Sequence, residues 1–221
     1  MTAFLFDLDG TVMDTPSVIV GSFRSMLEGR DDISETLLRS QIGRPLDAIV
    51  ETLLPDVDHE GAARARQRFR QHFAEATRHD AQRLVIAEVM EALADVRANG
   101  SRTAIVTSKI TASAEELLRA GGIRQSFDAV IGHDQASRGK PSPELALIAA
   151  AQLGELPEHC VVIGDSVDDM SMGADAGMTT VGVLWGVAAR RDLEQAGAMV
   201  TVTNPNELSG VLRQSTTRGA A

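Results

Sequence analysis

The stretch Ala3-Phe4-Leu5-Phe6-Asp7-Leu8-Asp9-Gly10-Thr11 constrains this chain more than any other. Its first four residues are an unbroken apolar run, the pattern of a strand buried on both faces of a parallel sheet. The run stops at Asp7, a second acid follows at Asp9, and Gly10-Thr11 turns the chain. In open α/β sheets ligands bind beyond the carboxyl ends of the strands, where these carboxylates would stand. Two acids so close do not both stay ionised cheaply: at about 4 Å and an effective dielectric near 20, their repulsion is about 4 kcal/mol. A cation is therefore expected to share the site, and a metal ion is the simplest source of that charge. The alternative is a plain polar turn built on Asp9-Gly10, which leaves the second acid at the strand end without a purpose.

The rest of the chain divides into two regions. Thr15-Pro16 reads as an N-cap with proline at N1, and Val18, Ile19, Phe23, Met26 and Leu27 then recur at helical spacing until Gly29. Further helices are expected near Ser34 to Gln41, over about Leu46 to Leu54, and from about His59 to His79. No strand pattern occurs between Thr15 and Asp80. After an amphipathic helix over Glu88 to Asn99 the pattern changes, and strands alternate with helices. Strands are expected at Thr103 to Thr107, Phe127 to Ile131, Cys160 to Ile163, Thr179 to Leu184 and Met199 to Val202. The helices between them cover about Ala112 to Ala120, Ser142-Pro143 to Leu153, Val167 to Ala176 and Ala189 to Ala196, with a last one from Asn206. Such alternation predicts an α/β fold with a Rossmann-like doubly wound parallel sheet core. The first strand belongs to that sheet, so the helical block becomes an inserted α-helical cap domain. The expected division is residues 1–13 and 82–221 for the core and 14–81 for the cap.

Three further stretches carry chemistry. Thr107 ends a predicted strand and Ser108 follows it, so hydroxyls and backbone N–H groups at that turn can hold phosphate oxygens. In Lys140-Pro141-Ser142-Pro143-Glu144 the prolines fix φ twice, and Ser142 is expected to cap the helix that Pro143 opens. Val161-Val162-Ile163-Gly164-Asp165 is a second buried strand ending in a carboxylate, with Asp169 four residues on. Ser166 and Asp169 also have the spacing of a capping box, and Asp168 suits a helix N-terminus.

Asp-x-Asp-Gly-Thr at Asp7 to Thr11 resembles motif I of the haloacid dehalogenase-like superfamily, in particular its phosphatase branch. Thr107, Lys140 and the Gly164-Asp165 to Asp169 stretch are similar to its motifs II, III and IV, in the family's order. The resemblance implies that Asp7 is a nucleophile that becomes an aspartyl-phosphate and that Asp9 is the general acid and base. It implies that Thr107 binds the phosphoryl group, with Ser108 beside it, and that Lys140 pairs with nucleophile and phosphate. It also implies Mg²⁺ held by Asp7, the Asp9 backbone carbonyl and Asp165, with Asp169 holding the metal's waters or lying behind its ligands. Arg44, in the Gly43-Arg44-Pro45 turn of the cap, could meet an anionic substrate or be a solvated turn residue.

The resemblance implies a Mg-dependent phosphatase acting on a small phosphomonoester, phosphoglycolate being the first expectation. A pyrophosphatase and a β-phosphoglucomutase-type phosphotransferase of the same superfamily are the alternatives, and a non-catalytic binding protein is the alternative from another class. Dehalogenases lack the second motif I acid, which is present here as Asp9. The mutases carry a cap-side His where this chain has Ile19. Trp185-Gly186 resembles a turn of the phosphoglycolate phosphatase-like members, with Trp185 expected to pack on the core.

Composition narrows the setting. A net charge of −10 over 221 residues argues against a nucleic-acid surface. The single cysteine, Cys160, cannot form an intrachain disulfide and suits a reducing cytoplasm. No apolar run approaches membrane-spanning length. The expected partner is a small phosphorylated metabolite, with neither nucleic acid nor membrane, for a monomer or homodimer. Met170, Met172 and Met178 read as core filling. Arg138 is a nearby cation that competes with Lys140 for its role, and His133 reads as a surface group or one behind the site. His59, His72 and His79 lack ligand spacing to a partner. Ser215 to Ala221 is expected to be a frayed polar tail.

Overall fold

The strand Ala3–Phe6 (β1) is completely buried, because both of its faces are covered. Phe4 and Phe6 enter one hydrophobic layer and Ala3 and Leu5 the other, as the two-residue period of a strand requires. The computed structural model describes residues 1–30, 32–78 and 80–218, the side chains of 216–218 excepted. Beside β1 lie β2 (Arg102–Val106) and β4 (Cys160–Gly164), with β3 (Ala129–Ile131), β5 (Thr179–Val183) and β6 (Val200–Val202) further out. All pairings are parallel and the order is β3-β2-β1-β4-β5-β6. The chain order reverses between β1 and β4, which makes that gap the switch point where doubly wound sheets bind ligands.

The helices follow from the same logic. α1 (Pro16–Leu27), α2 (Glu35–Arg39), α3 (Leu46–Leu53) and α4 (His59–Arg78) stand between β1 and β2. With the four-residue α5 (Ala81–Leu84) they form the helical insertion. α6 (Ala87–Ala98), α7 (Thr111–Ala120) and α11 (Pro205–Arg218) cover the Phe4/Phe6 face, while α8 (Glu144–Leu153) and α9 (Val167–Asp175) cover the Ala3/Leu5 face. α10 (Arg190–Gln195) packs beside β6 through Leu193. The two chain crossings into the insertion are tied together: Asp14 N donates to Leu84 O at 2.7 Å and Ile86 N to Val12 O at 3.0 Å. Among the described residues no helix is long and apolar enough to cross a membrane.

Several local expectations change. Thr15 stands at the N-cap of α1, yet its hydroxyl donates to Asp9 Oδ1 at 2.6 Å instead of capping the helix. Pro143 occupies the N-cap position of α8, while Ser142 Oγ still accepts from Glu144 N, the first helical N–H, at 3.5 Å; Glu144 turns back to accept from Ser137 and the Arg138 N–H. β3 starts at Ala129, two residues later than expected; Asp128 N still donates to Thr103 O of β2 at 2.8 Å, while its side chain accepts from Thr103 N and pairs with Arg97. α5 has too few residues to show a period. α11 continues through Ser215 to Arg218, where fraying was expected, and Gly219 to Ala221 lie outside the described residues, as does His79. Met170, Met172, Met178 and Cys160 are buried.

Candidate active site

Asp7 follows the last residue of β1, and its N–H donates to Ile163 O of β4 at 2.8 Å. That register brings Asp165, which follows the end of β4, beside it at the switch point. Asp169 comes from the first turn of α9. Each of these three carboxylates offers an oxygen within 4.8 Å of the others.

Lys140 enters from the loop before α8 with its side chain 3% exposed, and its Nζ lies 2.6 Å from Asp7 Oδ1 and 2.6 Å from Asp169 Oδ1. Arg138, 77% exposed at its side chain, turns outward toward Glu144. Asp169 Oδ2 accepts from Ser166 N at 3.1 Å and from Ser166 Oγ at 2.6 Å, and Ser166 Oγ accepts from Asp169 N at 3.2 Å. The capping box is therefore real, and the same carboxylate serves both the helix end and the lysine.

Asp165 is locked from two sides. Thr11 Oγ1 donates to its Oδ1 at 3.0 Å, and Val187 N donates to its Oδ2 at 2.9 Å. Gly10 has φ +83°, and a Cβ there would collide with the Asp165 carboxylate. Trp185 packs partly buried against the core, as expected, and its Nε1 donates to Thr11 O at 3.2 Å.

Charge is unbalanced in this pocket. Burial pushes the Asp7 carboxyl up to about 7; Lys140 opposes this, while the charges of Asp169 and Asp9 add to it. Asp165 is pushed well above the usual carboxylate range, by burial first and then by Asp7 and Asp169. Burial works against the Lys140 ammonium, but Asp169 and Asp7 more than offset it and hold its pKa above the ordinary lysine value. With all three acids ionised, the one ammonium would leave about two negative charges to neutralise, and an all-oxygen donor set suits a hard divalent cation. The cluster therefore fits a metal ion.

Asp9 faces away from the cluster. Its Oδ2 lies 2.9 Å from Lys109 Nζ, and Thr15 holds its Oδ1. The Lys109 ammonium also sits 4.2 Å from the centroid of Phe73 on α4, a cation–π distance that joins core to insertion. Lys109, Thr11 and Thr15 were not singled out as site residues from sequence. For Lys109 the available signal was its place directly after Thr107-Ser108. Thr107 is 1% exposed, and its Oγ1 accepts from Lys109 N at 3.2 Å. Ser108 Oγ is buried with no hydrogen-bond partner among the described residues.

A cavity of about 520 Å³ opens above Asp9, between the insertion and the loop that follows β2. Arg44, Ser108, Lys109 and His133 all line it. Arg44 is braced by Gln41 and Thr52, and His133 thus borders the cavity instead of the outer surface. His72 ties α4 to α1 through Ser22 Oγ at 3.1 Å. The structure thus gathers Asp7, Lys140, Asp165 and Asp169 in one cluster, and Asp9, Ser108 and Arg44 on the adjoining cavity.

These features define a doubly wound α/β protein with a metal-competent acidic cluster at its switch point and a helical insertion over it. The chain belongs to the haloacid dehalogenase-like hydrolase family, whose pattern matches residues 4–183. The protein named probable phosphatase IndB of Dickeya dadantii (strain 3937) is 36% identical over 212 residues, 93% of this chain and 91% of that one. The phosphoglycolate phosphatase of Aquifex aeolicus (strain VF5) is 28% identical over 194 residues, 84% of this chain and 86% of that one. Among solved structures, a β-phosphoglucomutase from Clostridium difficile superposes with a TM-score of 0.88 over 100% of this chain and 99% of that one; at 21% identity the likeness is one of fold.

Proposed function

We propose that this phosphatase-type member of the family hydrolyses small-molecule phosphomonoesters through an aspartyl-phosphate on Asp7, with Mg²⁺ as cofactor. The observation that carries the reading is the division of labour between two acids on one turn. Asp7 is clamped by Lys140 inside the acidic cluster, whereas Asp9 faces the cavity on Thr15 and Lys109. A nucleophile and a proton donor need those different surroundings.

Asp7 attacks phosphorus and the bond from phosphorus to the leaving oxygen breaks, while Asp9 gives that oxygen its proton. Water then opens the acyl-phosphate, Asp9 takes the water's proton, and phosphate leaves with the Asp7 carboxylate restored. Lys140 orients Asp7 and offsets charge on the phosphoryl oxygens, toward which Thr107 and Ser108 offer hydroxyl protons. Asp7, Asp165 and the Asp9 carbonyl would hold Mg²⁺, with Asp169 behind them. When bound, that ion supplies Lewis-acid neutralisation of phosphoryl charge. The insertion shields the site from bulk water, and Arg44 stands where it can meet an anionic group of the ester.

The likeness to a phosphoglycolate phosphatase supports an ester of that kind, although fold and family do not fix a substrate. A small phosphorylated metabolite, a monomer or homodimer, and a cytoplasmic setting belong to the same reading; the single buried Cys160 supports the last. Ile19 borders the cavity where the mutases carry a His, which favours hydrolysis over transfer to a second sugar. The test is phosphate release from a panel of esters, including phosphoglycolate, β-glucose 1-phosphate and pyrophosphate, with Mg²⁺ or with EDTA. Release from monoesters that EDTA abolishes is the expected result. Release from pyrophosphate alone, or from none of them, would overturn it.

A further inference from the structure

The cavity above Asp9, at about 520 Å³, has room for more than a two-carbon acid. Drug-sized ligands occupy pockets of about 300–1,000 Å³ with mainly apolar walls and a few polar groups that fix orientation.

The walls indicate what fills it. The chain is poor in aromatic residues, with six phenylalanines, one tryptophan and no tyrosine. Three of the six, Phe23, Phe69 and Phe73, border this one cavity; Phe23 is fully buried and Phe73 7% exposed, so Phe69 is the half-buried ring that faces the space. Phe69 and Phe73 share a face of α4, with ring centroids 6.1 Å apart and planes 11° from parallel, and Phe23 of α1 lies 5.4 Å from Phe69. Across from them Ile110, 43% exposed, borders the same space from the core. This aromatic row begins at the reacting end of the site, since one lysine, Lys109, contacts both Phe73 and Asp9. Two arginines of α4, Arg70 and Arg78, also border the cavity, and among the described residues neither pairs with an acid. Their guanidinium forks suit anionic groups and also stack on aromatic faces. A sugar or a glycolate would leave this apolar surface against hydrated carbon, whereas a flat ring would bury it and stack on it.

We propose that the ester taken at this site carries a planar heteroaromatic ring on its leaving alcohol, seated against Phe69 of α4 and Ile110 of the core, with Phe73 behind them. The proposal rests on the phosphatase reading and replaces phosphoglycolate with a larger, ring-bearing ester.

Matched esters isolate the ring. Ribose 5-phosphate, uridine 5′-monophosphate and inosine 5′-monophosphate share a phosphorylated ribose and differ in the base; phosphoglycolate completes the set. The expected result is a kcat/KM at least tenfold higher for one nucleotide than for ribose 5-phosphate, with phosphoglycolate below both. Equal or better turnover of ribose 5-phosphate or phosphoglycolate would overturn the proposal. Phe69→Leu keeps the apolar bulk and removes the ring face, so it is expected to lower the nucleotide-to-ribose ratio at least threefold. Partial unfolding would lower both rates alike and leave the ratio unchanged, and an unchanged ratio counts against the proposal. Should no ester of this set or of the wider panel be hydrolysed, the phosphatase reading fails by itself. Calorimetric titration of Asp7→Asn with the same esters then decides about the ring: tenfold tighter binding of a nucleotide supports it, and equal binding removes it.

Discussion

Lys140 Nζ lies 2.6 Å from Asp7 Oδ1, and it is the cation nearest three buried carboxylates. Replacing it with Met leaves Asp7 and Asp169 buried without their counter-charge. Removing one partner of a buried pair costs about 3–5 kcal/mol. Urea unfolding of Lys140→Met in EDTA is expected to show a loss of that order, and added Mg²⁺ is expected to restore part of it. Phosphate release is expected to fall about a thousandfold or more.

The raised carboxyl of Asp7 sets a pH dependence. Its folded value of about 7 exceeds the ordinary 3.8. Between those values the folded protein holds the proton that the unfolded chain has lost, so stability falls as pH rises through that window. The contribution is on the order of 4 kcal/mol, and Asp165 shifts in the same direction. In EDTA the protein is expected to be less stable at pH 8 than at pH 5 by urea titration. Mg²⁺ favours the ionised carboxylates and is expected to narrow the gap.

Lys109 and Thr15 hold the two oxygens of Asp9. Lys109→Met removes one restraint on the proton donor and its link to Phe73. Positioned acid–base catalysis contributes about 10²–10⁴-fold, so a kcat about tenfold to a hundredfold lower is expected on any hydrolysed ester. Steady-state kinetics over a range of pH check this, and an unchanged kcat would remove Lys109 from the site.

Gly10 combines φ +83° with contact on the Asp165 carboxylate. Gly10→Ala adds backbone strain of about 1–3 kcal/mol and displaces Asp165. A lowered melting temperature and weaker Mg²⁺ binding by calorimetry are expected together.

The fold could be read where burial makes pattern informative. Ala3 to Phe6 is wholly apolar because both sheet faces are covered, and Asp7 and Asp165 stand out as acids that end such runs on neighbouring strands. Thr15 shows the limit of propensity: its cap position was readable, but its hydroxyl is turned to donate to Asp9 and accepts no N–H of the helix. Ser142 keeps its contact with the helix start, accepting from Glu144 N, although the N-cap position falls one residue later, on Pro143. Lys109 carries no signal in sequence beyond its place after Thr107-Ser108, since its partners Asp9 and Phe73 come from distant segments. The aromatic wall was hidden for a similar reason. Phe69 and Phe73 are spaced four apart on a polar helix, which is also the spacing of ordinary packing.

The most direct test of the central claim traps the covalent state on Asp7. An acyl-phosphate reduced by borohydride becomes homoserine, so enzyme quenched during turnover of a hydrolysed ester can be reduced, digested and mapped by mass spectrometry. Homoserine at position 7, requiring both ester and Mg²⁺ and absent from Asp7→Asn, is the predicted result. An unmodified Asp7 in enzyme that was releasing phosphate at the moment of quenching, with Asp7→Asn equally active, would contradict the account.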